Sequence, residues 1–334
     1  MTGQRIPLVP TLTAMPRVSP AAWQAASLPV RWLVSARASV LVLTFSSAAL
    51  GGLIAAGSPQ WDLVAWMGCL AGLLLAHAAN NQLNDLTDHV RGIDQGNYFR
   101  TRYGTHVLEA GLLSRRALAG YFAVTGALAA LVGCWLLYRV GSVVLVPFVC
   151  GALLLLFYTW PLKQWGCGEL AVLLAWGPLM VAGSYAASAG AWRWDVAAIG
   201  LCYGLGPTTV IFGKHIDKLQ FDRAKGVATL PVRLGTARAR QWVRWMLAAQ
   251  YLGGALLIGV GWLPWEALLA VLAVPRALRL WTAYDRPPPE ECPADYPGEV
   301  WPLWYSAFAF DHARWFGIWF LGGMALHLAL AYLA

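Results

Sequence analysis

The 334-residue chain is 59% hydrophobic and only 12% charged, with a formal net charge of +8 and a mean hydropathy of +0.55. Those values exclude an ordinary soluble domain and describe a polytopic membrane protein. No basic patch carries a nucleic-acid motif. The six cysteines (Cys69, Cys134, Cys150, Cys167, Cys202, Cys292) form neither a CxxC pair nor a zinc spacing, so they read as small buried apolar residues.

Residues 1–27 lack an apolar core behind a basic start and are expected to form a flexible cytosolic tail, with 28–334 as a single transmembrane domain. Crossing a hydrocarbon layer takes roughly 20 helical residues. The sequence predicts nine such helices, at 38–57, 63–86, 117–138, 141–160, 169–189, 196–216, 243–262, 265–282 and 315–333. An all-α bundle around a central cavity follows, because an open sheet edge cannot lie in lipid. Arg276 and Arg279 fall inside the eighth helix and must snorkel or face a polar space. Nine spans place the N-terminus and the loops after even-numbered helices on one side, and of the 24 Lys and Arg residues all but Arg139 and Arg193 lie there. By the positive-inside rule that side is cytoplasmic, and the C-terminus is not; in a bacterium the membrane is the inner or plasma membrane.

In chain order, Arg31 and Arg37 precede the first helix and read first as interfacial anchors, with a substrate-phosphate contact as the alternative. The second helix ends in Asn80–Asp94, NNQLNDLTDHVRGID, where Asn80, Asn84 and Asp88 recur at i, i+4, i+8 and Asp85 sits at i+3 from Asp88. Asn81 belongs to the same polar stretch, and His77 one turn earlier reads as a hydrogen-bonded interior group. Gly92 can end the helix and turn Asp94 back. Clustered carboxylates with amide oxygens suit a hard cation such as Mg²⁺, which also binds substrate phosphates. The long polar segment Arg91–Arg116, with Arg100, Arg102, His106 and Glu109, has the composition of a lid, and its arginines suit a diphosphate. Between the fourth and fifth helices, Tyr158 to Glu169 makes a tight turn that brings Lys163 to the same mouth. The sixth helix ends GKHIDKLQFDRAKG, with Lys214, His215, Asp217, Lys218 and Asp222. Helix parity puts both acidic ends on one face, as a two-metal or metal-plus-lysine diphosphate site requires. Asp217 and Asp222 are five apart, about 140° around an ideal helix, so either the helix is distorted or only one faces the cavity. The aromatic segment 283–313, with Trp301 and Trp304, reads as an interfacial belt, and Asp311, His312 and Arg314 as a patch just before the last helix.

These motifs resemble the UbiA superfamily of intramembrane prenyltransferases, within it the branch that prenylates dihydroxynaphthoate in menaquinone synthesis. Asn84, Asp85, Asp88, Gly92 and Asp94 match that branch's Asn-Asp-x-x-Asp-x-x-x-Gly-x-Asp motif. Tyr158, Lys163, Gly166, Gly168 and Glu169 match its Tyr-x-x-x-x-Lys and Gly-x-Gly-Glu turn. The resemblance implies that the Asp-rich loops hold Mg²⁺ and a prenyl diphosphate. Asn84, Asp85, Asp88, Asp217 and Asp222 are the expected metal ligands. Asn81, Arg91, Arg102, Tyr158, Lys163, Lys214, His215 and Lys218 are expected at the substrates, and Asp94 or His215 takes the acceptor's proton. The implied acceptor is a small aromatic, dihydroxynaphthoate or a related quinone precursor. The chain departs from the branch in its second acidic motif, where Gly213-Lys214-His215 replaces asparagines and the acids are five apart, not four. That departure keeps open a cyclase or a specialised-metabolite prenyltransferase; outside this class, the alternatives are a transporter or a non-catalytic prenyl-lipid binder.

Overall fold

A computed structural model describes residues 6, 8–13, 16–96, 99 and 104–333, which are mostly helical with no strand among them. Three short helices, α1 (Leu8–Thr13), α2 (Pro20–Ala25) and α3 (Leu28–Ser35), precede the bundle. The long helices are α4 (Ala38–Ala56), α5 (Leu63–Val90), α6 (Arg115–Val140), α7 (Ser142–Leu162), α8 (Gly168–Ala189) and α9 (Trp194–Asp217). Short α10 (Leu219–Ala224) and α11 (Leu230–Leu234) lead to α12 (Thr236–Gly259). The chain ends in α13 (Trp265–Asp285) and α14 (Tyr305–Leu333). Eight of these are long and apolar enough to span a bilayer. The remaining predicted span lies in α12, which has 24 residues but starts seven residues before the expected 243, adding Arg238 and Arg240 to a first half that already holds Arg244.

Helices α4, α8 and α9 are the most enclosed, and α6 and α7 line the outside. Close approach at the centre depends on missing side chains. A Cβ at Gly177 would lie 2.9 Å from the Gly200 carbonyl, and one at Gly204 would lie 2.8 Å from the Gly177 Cα, so α8 and α9 touch backbone to backbone. Pro178 breaks α8 at that point, where Gly177 leaves helical geometry (φ −90°, ψ −113°), and Ser47 donates to the Trp176 carbonyl at 2.8 Å. The largest apolar cluster surrounds Tyr203, Phe316 and Phe320.

The last helix begins at Tyr305, ten residues before its predicted start. Asp311 and His312 therefore lie within it, and His312 is buried beside the Tyr251 hydroxyl at 3.1 Å. Trp304 packs on Tyr296 and Phe308 with ring centroids 5.2 and 4.9 Å apart. Arg276 stacks over Trp315 at 4.7 Å, which shields its stem as snorkelling does. The described part of the segment expected to be a tail is packed, α1 lying against α3 and the start of α4 with Thr11 buried. Trp23 is buried against Val34, Val107, Leu108 and Leu118, and Val18 N donates to Thr105 Oγ1 at 2.8 Å. The apolar payload of one tryptophan and three hydrogen bonds with Thr105 hold it down.

Candidate active site

The site forms where α5, α7 and α9 end and α8 begins. Asp62, at the opposite end of α5, binds Arg139 at the far end of α6 (2.8 Å), which marks the other face of the bundle. The end of α5 is set by Gly92 at φ +69°, with Ile93 N donating to the Asp88 carbonyl at 2.9 Å; this returns the chain and buries Asp94 beside the helix. The polar residues of α5 divide between two tasks. Asn80 donates to the Leu155 carbonyl (3.0 Å), Asn81 to the Ala36 carbonyl (2.8 Å) and Gln82 to Ser35 Oγ (3.1 Å), so they fasten α5 to its neighbours and do not join the acids. His77 bonds Thr44 at 2.8 Å, also inside the bundle.

Asn84, Asp85 and Asp88 face the mouth, and all three are buried. Each acid there has a base of its own. Arg37 binds Asp85, and also donates to Asn84 Oδ1 at 3.2 Å. Lys163 Nζ donates to Asp88 Oδ2 at 2.6 Å, and Asn84 Nδ2 reaches the same oxygen at 3.1 Å and Thr159 Oγ1 at 3.2 Å. Burial opposes the charge on Lys163, but Asp88, Asp222 and Asp94 outweigh it, and its ammonium is held above the usual lysine range. His106 Nδ1 accepts the Leu108 N–H at 3.3 Å, so the ring proton sits on Nε2, which donates to Asp94 Oδ2 at 3.0 Å and lies 3.8 Å from Asp85. Asp85, Asp94 and His106 are all buried, with ligand atoms within 4.8 Å of one another.

The sixth predicted helix divides at its end. Helix α9 stops at Asp217, Lys218 leaves helical geometry (φ −109°, ψ 18°), and α10 restarts at Leu219. The break sends the two acids apart. Asp217, expected as a metal ligand, accepts the backbone N–H groups of Trp304 (3.2 Å), Tyr305 (2.8 Å) and Ser306 (3.0 Å) and the Ser306 hydroxyl; it caps α14 from another helix. Asp222 is fully buried and takes Lys218 Nζ at 2.9 Å. Lys225 then donates to the Gly92 carbonyl at 3.0 Å, tying this end to the α5 turn. His215 bonds Glu169 at 2.6 Å, both 1% exposed, and the other Glu169 oxygen accepts the Leu230 N–H at 3.4 Å. The His215–Glu169 pair therefore joins α8, α9 and α11.

Tyr158 is half-buried next to Gly168 and Lys163, whereas Trp160 is 51% exposed with Arg91 stacked 5.6 Å over it. Arg91 is itself exposed, and Lys214 is half-buried near the end of α9. Arg100 and Arg102 lie outside the described residues. Two site residues escaped the sequence reading. Arg37 passed as an anchor because nothing in its neighbours announces a left-handed corner (φ +53°), the turn that aims it at Asp85. His106 was one polar residue of a lid; only its spacing from Asp94, twelve residues on, was available as a signal.

A family model described as the UbiA prenyltransferase family matches residues 42–301, which include every acid of this site. The chain belongs to the UbiA prenyltransferase family. It is a prenyltransferase, and the wider family resemblance reaches the naphthoate enzymes as expected. A 2-carboxy-1,4-naphthoquinone phytyltransferase of Synechocystis is 26% identical over 263 residues, covering 77% of this chain and 80% of the relative. A 1,4-dihydroxy-2-naphthoate octaprenyltransferase of Escherichia coli is 30% identical over 224 residues, covering 63% and 70%. The fold is shared with a UbiA homologue from Archaeoglobus fulgidus solved with DMAPP and Mg²⁺, at a TM-score of 0.60 and 14% identity over 86% of this chain and 98% of that one. Like other UbiA members it is an integral membrane protein.

Proposed function

We propose that this UbiA enzyme transfers a prenyl group from a prenyl diphosphate to a small aromatic acceptor of the dihydroxynaphthoate kind, with Mg²⁺ in the acidic mouth. The observation that carries the reading is a set of enclosed acid–base pairs at one mouth: Asp85 with Arg37, Asp88 with Lys163 of the Tyr158–Glu169 turn and, on the end that Lys225 ties to Gly92, Asp222 with Lys218. Support comes from the curated relatives, named for naphthoate acceptors, and from the Archaeoglobus fulgidus homologue, described as bound to DMAPP and Mg²⁺.

The donors fit a hard divalent cation. Asp88 Oδ1 and Asp222 Oδ2 are buried with no hydrogen-bond partner, an arrangement that costs free energy unless something completes it. Asp85 and Asp94 add converging carboxylates, while His106 presents an N–H to Asp94 and serves as a donor. The ligands would be Asn84, Asp85, Asp88 and Asp222, with Asp94 behind them; Asp217 is engaged elsewhere. When bound, Mg²⁺ supplies Lewis-acid charge neutralisation to a departing diphosphate.

The remaining work falls to the chain. Arg37, Lys163 and Lys218 hold fixed positive charge in a buried mouth, where it acts on the diphosphate's developing charge more strongly than in water. Substrate entry lets these bases exchange a carboxylate for a phosphate oxygen, so the pairs serve as a charge store that keeps the mouth folded between turnovers. Asp94, oriented by His106, takes the proton released by the acceptor. Tyr158 offers a ring face to the allylic cation by cation–π attraction. The mouth and its basic loops face the cytoplasm, on the charge asymmetry of the loops.

The test is to incubate purified protein with Mg²⁺ and prenyl diphosphates of several lengths, with and without dihydroxynaphthoate, and to follow pyrophosphate and lipid products by mass spectrometry. A prenylated naphthoquinol is the expected product. Pyrophosphate with a hydrocarbon or alcohol and no adduct would replace the acceptor reading by a cyclase, and binding without consumption would replace it by a prenyl-lipid binder.

A further inference from the structure

The two acidic helix ends are built differently. At the end of α5 the residue four before Asp88 is Asn84, a neutral oxygen ligand, and Asp85 and the returning Asp94 bring further carboxylates. At the end of α9 the residue four before Asp222 is Lys218. Asp222 N donates to the Lys218 carbonyl at 2.9 Å, so the two share one helical turn, and Nζ meets Oδ1 at 2.9 Å with both side chains buried. Asp217, the other acid of this end, has its two oxygens on four donors of the last helix and its approach. The second end thus offers one carboxylate, half of it already on an ammonium. A divalent cation held there would stand against a buried positive charge with a single oxygen, Asp222 Oδ2, to offset the repulsion.

We propose that Lys218 takes the place of a second metal ion: the site accepts one divalent cation with its diphosphate, and the Lys218 ammonium binds the diphosphate directly. The proposal rests on the prenyl-diphosphate reading of this mouth. Three features bear on it. The ammonium is fixed by the turn it shares with Asp222 and needs no ordering on binding. The Lys225 tether to the Gly92 carbonyl holds this end against the α5 turn that carries Asp88 and Asp94. And the break at Lys218 puts this lysine at the start of the short helix that carries Asp222, off the end of α9.

The experiment uses the full-length protein in detergent with Mn²⁺ and inorganic pyrophosphate, counting retained manganese and phosphorus after equilibrium dialysis and recording the electron paramagnetic resonance spectrum of the bound ion. The wild type is expected to retain a single Mn²⁺ per pyrophosphate with a mononuclear spectrum. Lys218→Asp is expected to gain a second ion and a spin-coupled spectrum. Lys218→Met is expected to keep a single Mn²⁺ but to weaken pyrophosphate binding by about tenfold or more, the value of one charge-assisted phosphate contact, and Lys218→Arg to restore most of it, which separates lost charge from lost folding. A coupled pair of ions in the wild type, or undiminished pyrophosphate affinity in Lys218→Met, overturns this proposal alone. A wild type that binds neither Mn²⁺ nor pyrophosphate overturns the prenyl-diphosphate reading beneath it.

Discussion

Asp88 shows why a buried motif must be probed by charge and not by deletion. Its Oδ2 holds both Lys163 and Asn84. Asp88→Ala would strand a buried ammonium, at about 3–5 kcal/mol of stability, and mix folding with chemistry. Asp88→Asn keeps an oxygen for Lys163 and removes only the charge. Turnover of prenyl diphosphate by Asp88→Asn is expected to fall about 10²–10³-fold while the size-exclusion profile stays that of the wild type; near-normal turnover would remove Asp88 from the machinery. The residue types of this mouth were legible from the sequence, because carboxylates at the end of an apolar helix have few other uses. Their partners were less so. Lys163 was reachable, since a tight turn confines it, whereas Arg37 and His106 reach the acids through loop conformations that no spacing encodes.

At the scale of elements, the end of α9 carries the main correction. An acid five residues from another looks like half of a metal motif, yet its use here is decided by what lies across the bundle. Gly213, one turn before Asp217, leaves no room for a Cβ, which would lie 2.7 Å from Ser306 N, so the start of α14 presses on α9 and presents its unpaired N–H groups to the Asp217 carboxylate. This also explains why α14 starts at Tyr305, through a stretch whose composition suggested a loop. Asp217→Ala is expected to lower the thermal stability by about 0.5–2 kcal/mol, the value of a lost cap, and to leave Mn²⁺ affinity unchanged. A loss of metal affinity with normal thermal unfolding would return Asp217 to the metal site.

For the molecule as a whole, the orientation in the membrane remains the reading of a charge asymmetry. Cys292 is exposed in the segment between α13 and α14, on the face expected to be cytoplasmic. In a variant retaining Cys292 as its sole cysteine, a membrane-impermeant maleimide should label inverted vesicles and spare right-side-out ones; the opposite pattern would reverse the topology. The sequence by itself determined the class, the helices and the end of the bundle where charge gathers, because hydropathy and helix parity are set by local composition over about 20 residues. It also carried the family, through motifs whose order survives without any coordinates. The tertiary structure alone decided which carboxylates remain for chemistry. Asp222 takes Lys218 four residues before it, a pairing that the spacing allows, whereas Asp217 meets the bare amides of a helix start 88 residues on. In a buried, low-dielectric mouth a carboxylate goes to whichever donors the packing brings first, and packing between distant helices is not written in any local pattern.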